Sequence, residues 1–169
     1  SGRSWTKYAG NPALPPTNRM HDFRDPKVFW YGAPESGHWV MCLAAGQLIL
    51  FYKSPNLIDW EACGGFGFGH GSVQGVWETP DLFELAVEGS GETRWALLVG
   101  VNRGAPAGGS GQQYFVGHFD GESFTSENPK SVALWMDYGA DFYAAQSWSD
   151  APDGQRLLEH REIKIIEGS

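Results

Sequence analysis

Three stretches of this chain begin alike: Phe23-Arg24-Asp25-Pro26-Lys27-Val28-Phe29-Trp30, Trp77-Glu78-Thr79-Pro80-Asp81-Leu82-Phe83, and Tyr138-Gly139-Ala140-Asp141-Phe142-Tyr143-Ala144. Asp25, Asp81 and Asp141 lie 56 and 60 residues apart. A repeat of that length, carried by short strand-like runs, leaves few folds open. A unit of four short strands cannot bury its apolar faces alone and has to stack on copies of itself. The expectation is an all-β chain, a partial β-propeller with one four-stranded blade per repeat.

The strands of each repeat can be written out. After each aspartate-containing start comes an apolar run opened by tryptophan, His38 to Ala44 and then Arg94 to Gly100, with Trp39 and Trp95 again 56 residues apart. Third runs follow, Gln47 to Ser54 and Gln112 to Phe119, and the extra length before the latter is a Gly/Ala/Pro/Ser stretch, Gly104 to Gly111, that reads as a long surface loop. Each unit closes with a turn and an aromatic strand, Asn56 to Trp60 and Asp120 to Phe124, where Asp120-Gly121 is a hairpin turn signal because glycine tolerates positive φ. Two blades are therefore complete and a third is partial. Ala140 to Trp148 fits its first strand, and Arg156-Leu157-Leu158 begins a second after the Asp150 to Gly154 turn.

Residues 1–157 are assigned to this partial propeller domain, and residues 158–169 to a tail that is either one further strand, through the alternation from Glu162 to Glu167, or a non-native end. A ring of four or more blades cannot be closed by one copy of the chain. Open sheet edges and uncovered blade faces favour pairing, so a homo-oligomer is expected over a monomer.

Composition narrows the function classes. Eight Trp and 23 Gly suit short strands and many turns, and no window sustains a 3.6-residue apolar period, so almost no helix is expected. No stretch approaches membrane-spanning length and the N-terminus resembles no signal peptide, which leaves the compartment open. A formal charge of −8 without a basic patch argues against nucleic acid and anionic membranes as partners. Cys42 and Cys63 match no zinc spacing, Cys42 reads as a buried free thiol, and the five histidines form no short-spaced pair, so no metal site is expected.

The residues that can do chemistry sit at the strand starts. The first strand of every blade lines the central channel, so acidic residues there converge on one funnel. Glycosidic bond cleavage needs a proton donor to the leaving oxygen and a second carboxylate at the sugar carbon. Asp25, beside Arg24 and Pro26, and Glu78, which has no counterpart in the other repeats, fit that demand. Aromatic neighbours Trp30, Trp77 and Tyr143 offer faces for sugar rings. Asp81 and Asp141, repeated in register, read instead as turn acceptors for backbone N–H groups.

At these same residues the sequence resembles a known family. Phe23 to Trp30 is similar to the R-D-P motif of glycoside hydrolase family 32, the invertases, levanases, inulinases and other β-fructosidases. Trp77 to Phe83 is similar to its W-E-C-P-D-L-F motif, with Thr79 where Cys is usual, and Asp137 to Gln146 resembles a third segment, D-x-G-x-D-F-Y-A-x-Q. The resemblance covers about residues 5 to 150 and implies a five-bladed propeller. It also implies a retaining mechanism on β-fructosides such as sucrose or fructans, with no metal or organic cofactor. Carried over by motif, Glu78 is the acid/base and Asp25 the transition-state stabiliser. Arg24, Asp141 and Tyr143 fall to substrate binding.

One family motif has no match in this sequence: the nucleophile's W-M-N-D-P-N-G. Met20-His21-Asp22 is the nearest string and lacks its context, while Trp135-Met136-Asp137 belongs to the third segment. Loss of a nucleophile typically costs several powers of ten in rate. The chain is therefore expected to bind a fructose-containing sugar and to be inactive alone. The alternative is a non-catalytic carbohydrate-binding or self-assembling propeller fragment.

Overall fold

The computed structural model describes residues 2–16, 20–149, 156–158, 161–162 and 165–166, and no helix occurs among them. Two antiparallel meanders dominate. The first is β1 (Arg24–Tyr31), β2 (His38–Ala44), β3 (Ile49–Ser54) and β4 (Glu61–Phe66), in that order. The second is β5 (Trp77–Glu88), β6 (Thr93–Val101), β7 (Gly111–Phe119) and β8 (Phe124–Ser126), with β9 (Leu134–Trp135) paired to β7. A third, short sheet joins β10 (Ser147–Trp148), β11 (Leu157–Leu158) and β12 (Arg161–Glu162), while β13 (Ile165–Ile166) runs parallel to β5. The architecture is a partial β-propeller of two full blades and part of a third.

Strand alternation explains the stacking. Successive side chains point to opposite faces, so Leu97, Val99 and Val101 of β6 enter one cluster with Val40, Cys42, Ala44, Ile49, Phe51, Phe66 and Trp77. Ala96 and Leu98 of the same strand enter another with Phe83, Leu85, Ala145 and Leu158. The second blade is thus apolar on both faces, which is why β6 reads as an unbroken hydrophobic run. The other face of the first blade is less covered, and Val28 and Trp30 are exposed there. Cys42 is buried and unbridged, its thiol pKa pushed well up by burial.

Two sequence expectations need correction. The closing strand of the first blade is Glu61–Phe66, and Asn56 to Asp59 is entirely turn. Ser54 Oγ accepts from the amides of Asn56 and Leu57, and Asn56 Oδ1 accepts from those of Ile58 and Asp59. Side chains therefore take the donors a ladder would need. In the second blade Asp120 Oδ1 does the same for the amides of Glu122 and Ser123, with Gly121 at φ 97°, and β8 starts at Phe124.

The third unit's first strand is only Ser147–Trp148, because Asp141 and Ala144 hold φ of 63° and 59° and the amides of Ala145 and Ser147 donate to the side chains of Gln112 and Asp81. In the tail, Arg161–Glu162 extends the third sheet and Ile165–Ile166 pairs with β5, with residues 163 and 164 outside the described part. The turn at 150–154 also lies outside the described residues.

Candidate active site

Two matching β-bulges build the site. In β1 the ladder to β2 breaks between Arg24 and Lys27, and in β5 the ladder to β6 breaks between Glu78 and Asp81. Each bulge holds a residue at positive φ followed by proline, Asp25 at 59° and Thr79 at 44°. Arg24 therefore corresponds to Glu78, Asp25 to Thr79, and Lys27 to Asp81, an offset of 54 residues, although the tryptophans of the next strands are 56 apart. The aspartates of the sequence repeat do not occupy equivalent places. In the third segment the positive φ alone recurs, with Ala144 at 59° directly after Tyr143. Bulges re-aim side chains at the ends of ladders, and here they turn Arg24 and Glu78 toward one another, while Tyr143 meets Glu78 from the third segment.

Arg24 Nη2 donates to Glu78 Oε1 at 2.6 Å and Nη1 donates to Asp22 Oδ1 at 2.6 Å, while Nε stands 3.8 Å from Asp25 Oδ2. Tyr143 donates its hydroxyl to the other Glu78 oxygen, Oε2. Both oxygens of Glu78 are thereby engaged, one by a residue of the first blade and one by a residue of the third segment. Asp25 Oδ2 accepts the amide N–H of Thr79 at 3.0 Å, which ties the first blade to the residue beside Glu78. The Arg24 guanidinium is held above its usual range chiefly by the hydrogen bond to Glu78, then by that to Asp22. The Tyr143 phenol is also raised, first by burial and then by its bond to Glu78.

Of the residues singled out in the sequence, Arg24, Asp25, Glu78 and Tyr143 come together. Asp141 is set apart from these bonds, accepting from Ser110 Oγ at 3.1 Å at the end of the Gly-rich loop. Sequence reasoning missed Asp22 as a partner of Arg24 and Thr79 as the amide donor to Asp25. The signal for the latter was the shared residue-then-proline step, Asp25-Pro26 and Thr79-Pro80. Among the described residues no three His, Cys, Asp or Glu side chains are grouped as metal ligands. No described helix is long and apolar enough to cross a membrane.

The family model of the Glycosyl hydrolases family 32 N-terminal domain matches residues 1–159. This chain belongs to glycosyl hydrolase family 32. The family 32 chain is 57% identical over 159 residues to a levanase of Bacillus subtilis, covering 92% of this chain and 23% of that protein. It is 42% identical over 177 residues to an extracellular exo-inulinase of Aspergillus niger, covering 96% and 32%. Its fold matches the crystal structure of exo-inulinase from Aspergillus awamori with a TM-score of 0.81 at 38% identity, over 91% of this chain and 32% of that one. It also matches fructofuranosidase from Schwanniomyces occidentalis complexed with fructose, with a TM-score of 0.76 at 36% identity, over 86% and 28%. The chain thus spans about a quarter to a third of the length of these relatives.

Thr79 carries a cost at this site. It is a β-branched residue at φ 44°, and its Oγ1 is buried without a hydrogen-bond partner. Left-handed backbone at such a residue and an unpaired buried hydroxyl each cost about 1–3 kcal/mol. Gly100 faces it: a Cβ there would come within 2.8 Å of Thr79 Oγ1 and 2.9 Å of the Tyr143 ring. Thr79→Cys removes the branch and the hydroxyl. It is expected to gain about 1–2 kcal/mol, seen as a melting temperature raised by ~2–4 °C per kcal/mol. A lower melting temperature for the variant would contradict this account.

Proposed function

We propose that this family 32 chain carries the acid/base half of a fructoside-cleaving site. In this reading Glu78 is the acid/base, Asp25 the transition-state stabiliser, and Arg24 and Tyr143 their positioning partners, with Asp141 lining the outer rim. The observation that carries it is the placement of Asp25 and Glu78 around one guanidinium, with Asp25 also bound to the amide that follows Glu78. A retaining cleavage uses one carboxyl as proton donor to the leaving oxygen and later as base toward water. A proton leaving Glu78 departs from an oxygen now bonded to Arg24 or Tyr143, so the sugar oxygen enters as one of those partners gives way. Asp25, held by the Thr79 amide, is free through its other oxygen to accept sugar hydroxyls.

Several observations support fructose-containing sugars as ligands. The relatives include a levanase and an exo-inulinase, and one matching structure holds fructose. This sequence has no nucleophile motif, so the chain alone binds such a sugar without cleaving it. Incubation with sucrose, inulin and levan is expected to release no reducing sugar. Titration with fructose, followed by tryptophan fluorescence, is expected to saturate in the natural chain and in Glu78→Gln. Sugar release by the chain alone would overturn the inactivity, and a flat fluorescence titration would overturn the binding.

The exposed Val28 and Trp30 favour one further reading, in which copies associate and cover the open face of the first blade. Light scattering at multiples of 18.6 kDa is the expected result, and a monomer at that mass would refute association.

A further inference from the structure

Tyr143 reaches Glu78 from a segment that has almost no sheet of its own. Between Asp141 and Gln146 there is no ladder, yet the Tyr143 hydroxyl meets Glu78 Oε2. What holds this segment is a second set of side chains next along the strands from the first: Lys27 and Asp81, which are equivalent across the two bulges, and Gln146, three residues beyond Tyr143 just as Lys27 is three beyond Arg24.

The bonds among these residues span all three blades. Asp81 has no solvent exposure, and its Oδ2 accepts the Ser147 amide at 2.6 Å while Oδ1 forms an ion pair with Lys27 Nζ at 3.2 Å. Lys27 Nζ also donates to Ser147 O at 3.3 Å and Gln146 Oε1 at 3.4 Å. Gln146 Nε2 donates at 3.0 Å to the carbonyl of Thr79, the residue after Glu78. A buried carboxylate is tolerable only with a cation and satisfied hydrogen bonds, and an ammonium has three donors to distribute. Lys27 donates to the Ser147 backbone and to Gln146 and meets Asp81 as an ion pair. The same layer therefore fixes the backbone after Tyr143 and the backbone after Glu78.

We infer that Lys27, Asp81 and Gln146 form a positioning layer that holds the Tyr143 hydroxyl against Glu78. The inference draws its catalytic meaning from the reading of Glu78 as acid/base given above, but its geometry can be tested without turnover. The charged groups facing Tyr143 are Glu78, Asp25 and Arg24, and the Cys42 thiol of β2 faces the Lys27–Asp81 pair. Removing a member of the layer frees the third segment, and Tyr143 separates from Glu78.

The experiment labels tyrosine at Cζ with ¹³C and follows ionisation by NMR between about pH 9 and 11, where free phenols titrate near 10. The Tyr143 signal is the one missing from Tyr143→Phe. In the natural chain it is expected to stay protonated through this range, because burial and Glu78 raise it. In Asp81→Ala and Lys27→Met it is expected to ionise within that range. Gln146→Ala, a change at an exposed side chain, gives the same test should the buried variants not fold. Asp81→Asn, which keeps an acceptor for Ser147, is expected to retain part of the upward shift. A Tyr143 signal unmoved in the folded variants, even with a lower melting temperature, would reduce the layer to a structural brace and overturn the inference. Fructose titrations of the same samples separate the two ideas: a natural chain that fails to bind sugar but shows the Tyr143 behaviour loses the proposed function and keeps the positioning layer.

Discussion

Trp77→Ala is expected to lower the unfolding free energy by about 3–5 kcal/mol, measured as the shift in a urea midpoint at constant slope. Trp77 is fully buried in the seam between the first two blades, with its ring centroid 6.3 Å from that of Phe66 and 5.6 Å from that of Phe115. Its Nε1 donates to Ser72 O at 2.9 Å and its amide donates to Gly46 O at 2.7 Å. Truncation therefore opens a cavity and leaves the Ser72 carbonyl without this donor. Small domains are stable by roughly 5–15 kcal/mol, so this one change removes a large part of the margin. Trp77→Phe keeps most of the ring and loses the indole bond, which is worth about 1 kcal/mol. Equal losses for the two substitutions would mean that the hydrogen bond, rather than the packed ring, holds the seam.

Arg24→Met is expected to weaken fructose binding by about 10–100-fold while leaving the fold in place. The guanidinium is partly exposed, so its ion pairs with Asp22 and Glu78 contribute little to stability. Its role is geometric: one planar fork addresses both carboxylates at 2.6 Å and stands beside Asp25. Without it Asp22, Asp25 and Glu78 face one another with no cation between them, and the pocket loses charge-assisted bonds worth about 1.5–3 kcal/mol, which is about one to two decades in affinity. Arg24→Lys is expected to recover little, because a single ammonium cannot reproduce the fork. Affinity equal to that of the natural chain in Arg24→Met, at an unchanged melting temperature, would place the sugar elsewhere.

Much of this could be read along the chain. The strands β1, β2, β3, β5, β6 and β7 follow from alternation and from apolar runs, and the long loop before β7 follows from its Gly/Ala/Pro/Ser content. The motifs around Arg24-Asp25-Pro26 and Trp77-Glu78-Thr79-Pro80-Asp81 marked the strand starts that carry the site. Other features were misread for identifiable reasons. Asn56 to Trp60 has the apolar content of a strand, but Ser54 and Asn56 consume its amides. Asp81 aligns with Asp25 by letter, yet the bulges make it the counterpart of Lys27.

Short-range rules thus reached blade boundaries, turn residues and the acidic positions, because each depends on neighbours a few residues away: side-chain alternation, glycine at positive φ, proline after a bulge. They could not reach the pairing of Arg24 with Glu78, of Glu78 with Tyr143, or of Lys27 with Asp81. Those partners are separated by dozens of residues, and their meeting is set by how three sheets stack and by where two bulges rotate the strand ends. Packing between blades holds these distances, and no local pattern encodes them.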